Sequence, residues 1–213
     1  MRPEPPLICV TGPDGSGKTT QIARLAERLE GRGKVKAAAV TIWDLLLDPA
    51  SRGRVAFRTP AEVDSYLEIL HPTSRALFLY HCLYEALRLA LRRKAQVLLL
   101  NAYWYKYYAV EVAHGGSPEE LRSLARIFPQ PALTFYLRVD PEEAFRRKAG
   151  LSGYETGFAS PRSREAFVSF QGKAQEALHS LALELGFVEL NGRESPDSLA
   201  ERILERIQQE ALC

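Results

Sequence analysis

Residues Gly12–Thr19, GPDGSGKT, place glycines, a lysine and a hydroxyl at the spacing G-x-x-x-x-G-K-[ST]. That combination suits phosphate chemistry. Gly12, Gly15 and Gly17 let the backbone wrap an anion, with N–H groups from Asp14 to Thr19 turned inward, and Pro13 and Ser16 complete the loop. Lys18 can reach terminal phosphates as a point charge, the Thr19 hydroxyl can ligate Mg²⁺, and Thr20 continues the phosphate-facing stretch. The context is right as well. The apolar run Leu7–Thr11 reads as a strand, and Ile22, Leu25, Ala26 and Leu29 share one face of a helix that begins near Gly17. Its N-terminus adds partial positive charge. A bound nucleoside triphosphate follows, and the phosphate can be transferred, hydrolysed or merely held.

Other side chains are candidates with competing explanations. Arg146, Arg147 and Lys148 precede a glycine- and serine-rich loop, Leu151–Ser163. From there a cation can neutralise a migrating phosphoryl group, or simply complement a helix end. Arg162 and Arg164 lie beyond the loop, and Glu155 within it reads as a solvated acid. The run YWYKYY, Tyr103–Tyr108, can stack a flat substrate, although Tyr103 and Tyr107, four apart, suit helical core packing. His71, His81, His114 and His179 are isolated and offer no metal spacing. The segment RLALRRK reads as a helix end rather than a nucleic-acid site.

The elements that must position these residues alternate along the chain. Five apolar runs read as strands: Leu7–Thr11, Val35–Trp43, Val97–Asn101, Leu133–Val139 and Phe187–Leu190. Between them lie helical patterns, including the long apolar TSRALFLYHCLYEALRLALRRK and two starts with Asp-Pro or Ser-Pro, at DPEEAFRRKAG and SPDSLAERILERIQQEA. Strands alternating with helices imply α/β: a parallel sheet with helices on both faces, in three layers. The 213 residues suit one domain, 1–213, in which residues 150–163 and the breaker-rich stretch Asp48–Pro60 are candidate mobile covers. A net charge of +2 argues against a nucleic-acid coat or a polybasic membrane binder. Cys9, Cys82 and Cys213 form no metal or disulfide pattern, which suits a reducing cytoplasm. No apolar run is long enough to span a membrane, and MRPEPPL lacks the apolar core of a signal peptide.

The use of the phosphate narrows by elimination. No N/T-K-x-D segment is present to read guanine, and 213 residues leave no room for the partner domains of a motor ATPase. A small domain with a loop able to cover its site suits a kinase, which must exclude water. GPDGSGKTTQ resembles the phosphate loop of the thymidylate kinase family, G-x-D-G-x-G-K-T-T-Q. PALTFYLRVDPEEAFRRK resembles that family's fourth strand and following helix, and FVELNGRESPDSLAERI, with Asn191, the segment beside the adenine. The resemblance implies a P-loop kinase fold with a five-stranded sheet of order 2-3-1-4-5, ATP and Mg²⁺ as co-substrates and a nucleoside monophosphate as acceptor. It also implies Asp14 facing the acceptor's sugar hydroxyl, Arg147 or Arg146 acting from the lid, and a homodimer through the long third helix.

Departures fall on the acceptor side. Where the family has Asp-Arg-Tyr after its third strand, LLLNAYWYKYY has Asn101 and Ala102 and keeps only Tyr103. TIWDLLLDP lacks the family's Arg-x-Pro. The base-reading Phe-x-x-x-Arg aligns on Leu79 and Leu83, with Phe78, Tyr80 and Arg75 near enough to substitute. Arg58, Arg75, Tyr103 and Lys106 are alternative acceptor contacts. Two readings stand: a divergent monophosphate kinase, or a nucleotide-binding protein of the same fold with an altered acceptor site.

Overall fold

The computed structural model describes residues 5–33, 35–48, 57 and 59–210. In chain order these form β1 (Leu7–Thr11), α1 (Lys18–Gly33), β2 (Ala37–Val40), α2 (Asp44–Leu47), α3 (Pro60–Glu68), α4 (Pro72–Leu91), β3 (Val97–Asn101) and α5 (Tyr103–Ala113). Then follow α6 (Pro118–Leu124), β4 (Leu133–Arg138), α7 (Pro141–Arg146), α8 (Arg164–Leu185), β5 (Val188–Asn191) and α9 (Pro196–Gln209). Short 3₁₀ turns lie at Ala125–Ile127 and Tyr154–Thr156.

The strands make one parallel sheet in the order β2-β3-β1-β4-β5, as the family resemblance implied. Successive side chains on a strand point to opposite faces, and here that alternation sorts the core. Leu7 and Cys9 of β1, with Leu98 and Leu100 of β3, pack beneath α4, α5 and α8. Ile8 and Val10, with Leu99, Phe135 and Leu137, pack beneath α1 and α9. Helix starts follow from capping chemistry: Thr59, Ser117, Asp140 and Ser195 each accept a backbone N–H, and each is followed by a proline in the first turn.

Three elements differ from the sequence expectation. The second strand is four residues rather than nine, because Thr41 donates its hydroxyl to Asp44 (2.9 Å) and folds the chain into the short α2. The helix opening at Pro141 ends at Arg146, before the basic triplet is complete. The longest helix, α8, was anticipated only as whatever follows the loop; its start is fixed by Ser163, which caps the N–H of Ala166. Most of the stretch Asp48–Pro60 lies outside the described residues. Among the described helices none is long and apolar enough to cross a membrane. The loops that begin at the carboxyl ends of β1 and β3 open side by side, the usual place for a ligand on a parallel sheet.

Candidate active site

Gly12–Gly17 links β1 to α1 as the motif requires. Gly15 has φ +83°, and a Cβ there would collide with the Ala144 carbonyl of α7. Only glycine lets the loop lie this close to the helix that carries the basic triplet. The Lys18 ammonium is folded back on its own loop and donates to the Pro13 carbonyl (2.6 Å). Burial pulls its pKa down to about 8, against the opposing pull of Asp14. The Ser16 hydroxyl is buried without a partner among the described residues, while Thr19 and Thr20 are exposed at the mouth of the loop.

Asp14 is the hub. Its Oδ1 accepts from Lys106 Nζ (2.7 Å), its backbone N–H donates to Gln171 Oε1 (3.3 Å), and its buried Oδ2 has no hydrogen-bond partner among the described residues. Burial alone would raise the Asp14 pKa, but Lys106 and Lys18 hold it below the usual carboxylate value. Gln171 also donates to the Glu155 carbonyl (2.9 Å), and Glu155 pairs with Lys148 (2.6 Å). One buried amide on α8 therefore ties the phosphate loop to the Leu151–Ser163 segment.

That segment, a candidate mobile cover from its sequence, has anchors. Asp64 on α3 accepts the N–H groups of Gly153 (2.9 Å) and Tyr154 (3.0 Å), and Tyr154 is buried with its hydroxyl on Glu111 (2.8 Å). Glu111 is clamped by Arg75 through Nε at 3.0 and 2.9 Å, and burial raises its pKa to about 7 against the pull of Arg75 and Tyr154.

The structure redistributes the remaining candidates. Arg75 is 3% exposed and spends its donors on Glu111 and the carbonyls of Leu67 and Leu70, so it is a buried structural cation rather than an acceptor contact. Tyr103 is fully buried, with its hydroxyl on the Pro129 carbonyl, and does not reach the cavity; core packing explains it. Arg146 is exposed and paired with Glu143. Arg147 turns to the Gly192 carbonyl (2.8 Å), toward the β5–α9 loop, leaving Lys148 as the member of the triplet on the Asp14–Glu155 cluster. Asn191 does not line the cavity; its side chain caps the N–H of Arg193 (3.1 Å), and Gly192–Pro196 line the cavity instead. Asn101 does sit at the phosphate loop, donating to Thr19 Oγ1 (3.1 Å). Arg58 lies outside the described residues.

A single cavity of about 1320 Å³ joins these groups, running from Gly192–Pro196 past Lys18 to Trp43, Phe57 and Phe78. Phe78 is half-buried and meets Phe57 (5.6 Å) and Tyr66 (5.4 Å) edge-on. Phe78 and Cys82, four apart, line this end, whereas Leu83 is buried in the core. Leu79, on which the base-reading pair aligns, lines the cavity beside Phe78, whereas Leu83 does not. Burial raises the Cys82 thiol to about 11. Ala102 and Tyr103 have φ of +74° and +56°, a strained turn of the kind that persists at functional sites. It starts α5 directly at the cavity.

Sequence reasoning missed Gln171, Asp64 and Cys82, while Phe78, offered as a substitute base contact, does line the cavity. A polar residue on an apolar helix face, as Gln171 is on α8, was the available signal.

Comparison with known proteins accords with this geometry. No family model matches the chain. Thymidylate kinase of Chlorobium chlorochromatii is 28% identical over 223 residues, covering 95% of this chain and 94% of that protein. Thymidylate kinase of Bifidobacterium longum is 30% identical over 191 residues, covering 83% of each. The chain belongs to the thymidylate kinase family. A probable thymidylate kinase of Archaeoglobus fulgidus is 31% identical over 157 residues, covering 70% of this chain and 74% of the relative. The solved thymidylate kinase of Candida albicans superposes with a TM-score of 0.65 over 98% of this chain and 93% of that one, at 18% identity, which shows the fold. As a thymidylate kinase homologue the chain is a nucleotide kinase of the nucleoside monophosphate kinase type, with small nucleotides as substrates.

Proposed function

We propose that this protein moves the γ-phosphoryl group of ATP, with Mg²⁺, onto a nucleoside 5′-monophosphate. The observation that carries the reading is the one cavity that runs from the β5–α9 loop, across the phosphate loop, to an apolar pocket with Phe57 and Phe78. Donor and acceptor fit end to end in such a space, with the transferred group over Lys18.

The work of this chain is positioning and charge neutralisation. Backbone N–H groups of Asp14–Thr19 cradle the phosphates, and Lys18 leaves the Pro13 carbonyl for them. Lys148, drawn from Glu155, is the cation that closes from the Leu151–Ser163 side, in place of Arg146 or Arg147. Asp14 Oδ2, buried and unpartnered among the described residues, accepts from an acceptor hydroxyl.

The residues fit a magnesium ion held mainly by the nucleotide. Among the described residues no group of three acidic, histidine or cysteine side chains gathers to hold a metal. Mg²⁺ keeps several waters and needs few protein oxygens. The Thr19 hydroxyl would be its protein ligand, and Asn101, whose amide donates to Thr19 Oγ1, would offer its carboxamide oxygen beside it. When bound, the ion supplies neutralisation of phosphate charge.

The test is ADP release from ATP, scanned over the common nucleoside monophosphates and nucleosides, with no-acceptor and chelator controls. Acceptor-dependent, chelator-sensitive release is expected for at least one monophosphate. ATP binding with no acceptor-dependent release would instead mark a nucleotide-binding protein whose acceptor site has been put to another use. On this reading the protein works in the cytoplasm.

A further inference from the structure

Resting on the reading just given, we infer that Lys106, on the first turn of α5, grips the acceptor's phosphate. Position 102 is an alanine, whose methyl group cannot bind phosphate. Lys106 stands on the first turn of the helix that begins just after Ala102, and both residues line the cavity. The strained turn at Ala102 and Tyr103 aims that first turn of α5 at the phosphate loop.

Lys106 has the exposure and the free valence for the task. Its side chain is 15% exposed, and an ammonium has three donors. The hydrogen bond recorded for it among the described residues goes to Asp14 Oδ1 (2.7 Å). Burial alone would pull its pKa down, but Asp14 more than offsets this and keeps it cationic. Lys106, Lys18 and Lys148 all act electrostatically on Asp14, and Glu155 acts on both Lys18 and Lys106. Three ammonium groups thus converge around two carboxylates. Asp14 and Glu155 hold Lys106 and Lys148 in place without phosphate; two phosphates arriving together give those cations stronger partners.

The reading predicts a phosphate-specific binding defect. With a non-hydrolysable ATP analogue present, calorimetry compares the common 5′-monophosphates with their parent nucleosides. The unmodified protein prefers its best monophosphate over the nucleoside by about ten- to a hundredfold. Lys106→Met abolishes that preference while nucleoside affinity changes little, and Lys106→Arg retains much of it. Lys106→Ser combined with Ala102→Arg restores it. The inference is overturned if Lys106→Met keeps the preference, if it weakens nucleoside and monophosphate equally as a structural defect would, or if the unmodified protein prefers no monophosphate. Because binding is read without turnover, failure here leaves the ADP-release test standing, and the converse holds.

Discussion

A lysine whose partner is its own loop carbonyl is poised to exchange it. Lys18 is 7% exposed and its pKa is lowered to about 8, so above that pH the free protein loses its charge. Phosphate favours the charged form, so binding an ATP analogue at pH 8.5 should take up about half a proton or more. Affinity should fall as pH rises past 8. Calorimetry in buffers of different ionisation enthalpy measures this, and absence of proton uptake in the unmodified protein would sink it. Lys18→Ala should stay folded by circular dichroism yet lose transfer by about 10²–10³-fold or more. Lys148→Met should lower kcat by at least about tenfold, whereas Arg146→Ala, exposed and paired only with Glu143, should leave it near normal. Equal losses in these two variants would return the role to the arginines. The phosphate loop was legible in sequence because its chemistry is made by contiguous backbone. Lys106 was legible only as one candidate among several, since its partner Asp14 lies 92 positions away. Gln171, 157 positions from Asp14, left no such trace.

Among elements, the strands were readable because burial on both faces leaves apolar runs with little else in them, whereas their order was implied only by the family resemblance. The segment Leu151–Ser163 was readable as a candidate cover, but its anchoring was not. Its sequence is rich in glycine and serine, and its hold on the fold comes from the distant carboxylates Asp64 and Glu111. These contacts dock the segment on the fold. Asp64 supplies acceptors for two backbone N–H groups, and removing it leaves both without that partner. Asp64→Ala should therefore raise hydrogen exchange across Leu151–Ser163, while a bisubstrate mimic should lower it in the unmodified protein. If protection is the same with and without the mimic, the segment is not a lid. If Asp64→Ala changes nothing there, its two hydrogen bonds are not what docks it.

At the scale of the whole molecule, the sheet buries both faces, yet α4 leaves an apolar line outside. Leu77 (51% exposed), Tyr84 (37%) and Leu91 (41%) recur every seven residues along it. A seven-residue apolar repeat forms a seam straight enough to meet another helix. The stripe is self-complementary when two copies of α4 cross antiparallel about a two-fold axis, with Tyr84 at the middle and each Leu77 near the partner's Leu91. This is the homodimer suggested by family resemblance, with a specific set of residues to carry it. Leu77→Glu with Leu91→Glu would put two carboxylates from each copy into the seam, and removing them from water without partners costs several kcal/mol. Light scattering coupled to size exclusion should then give a dimer near twice 23.9 kDa for the unmodified chain and a monomer for the variant. Both substitutions sit on exposed positions, so the variant should keep its fold and its melting profile at high protein concentration. A monomeric unmodified protein at tens of micromolar would remove α4 as an interface. A variant that remains dimeric would place the contact on another face.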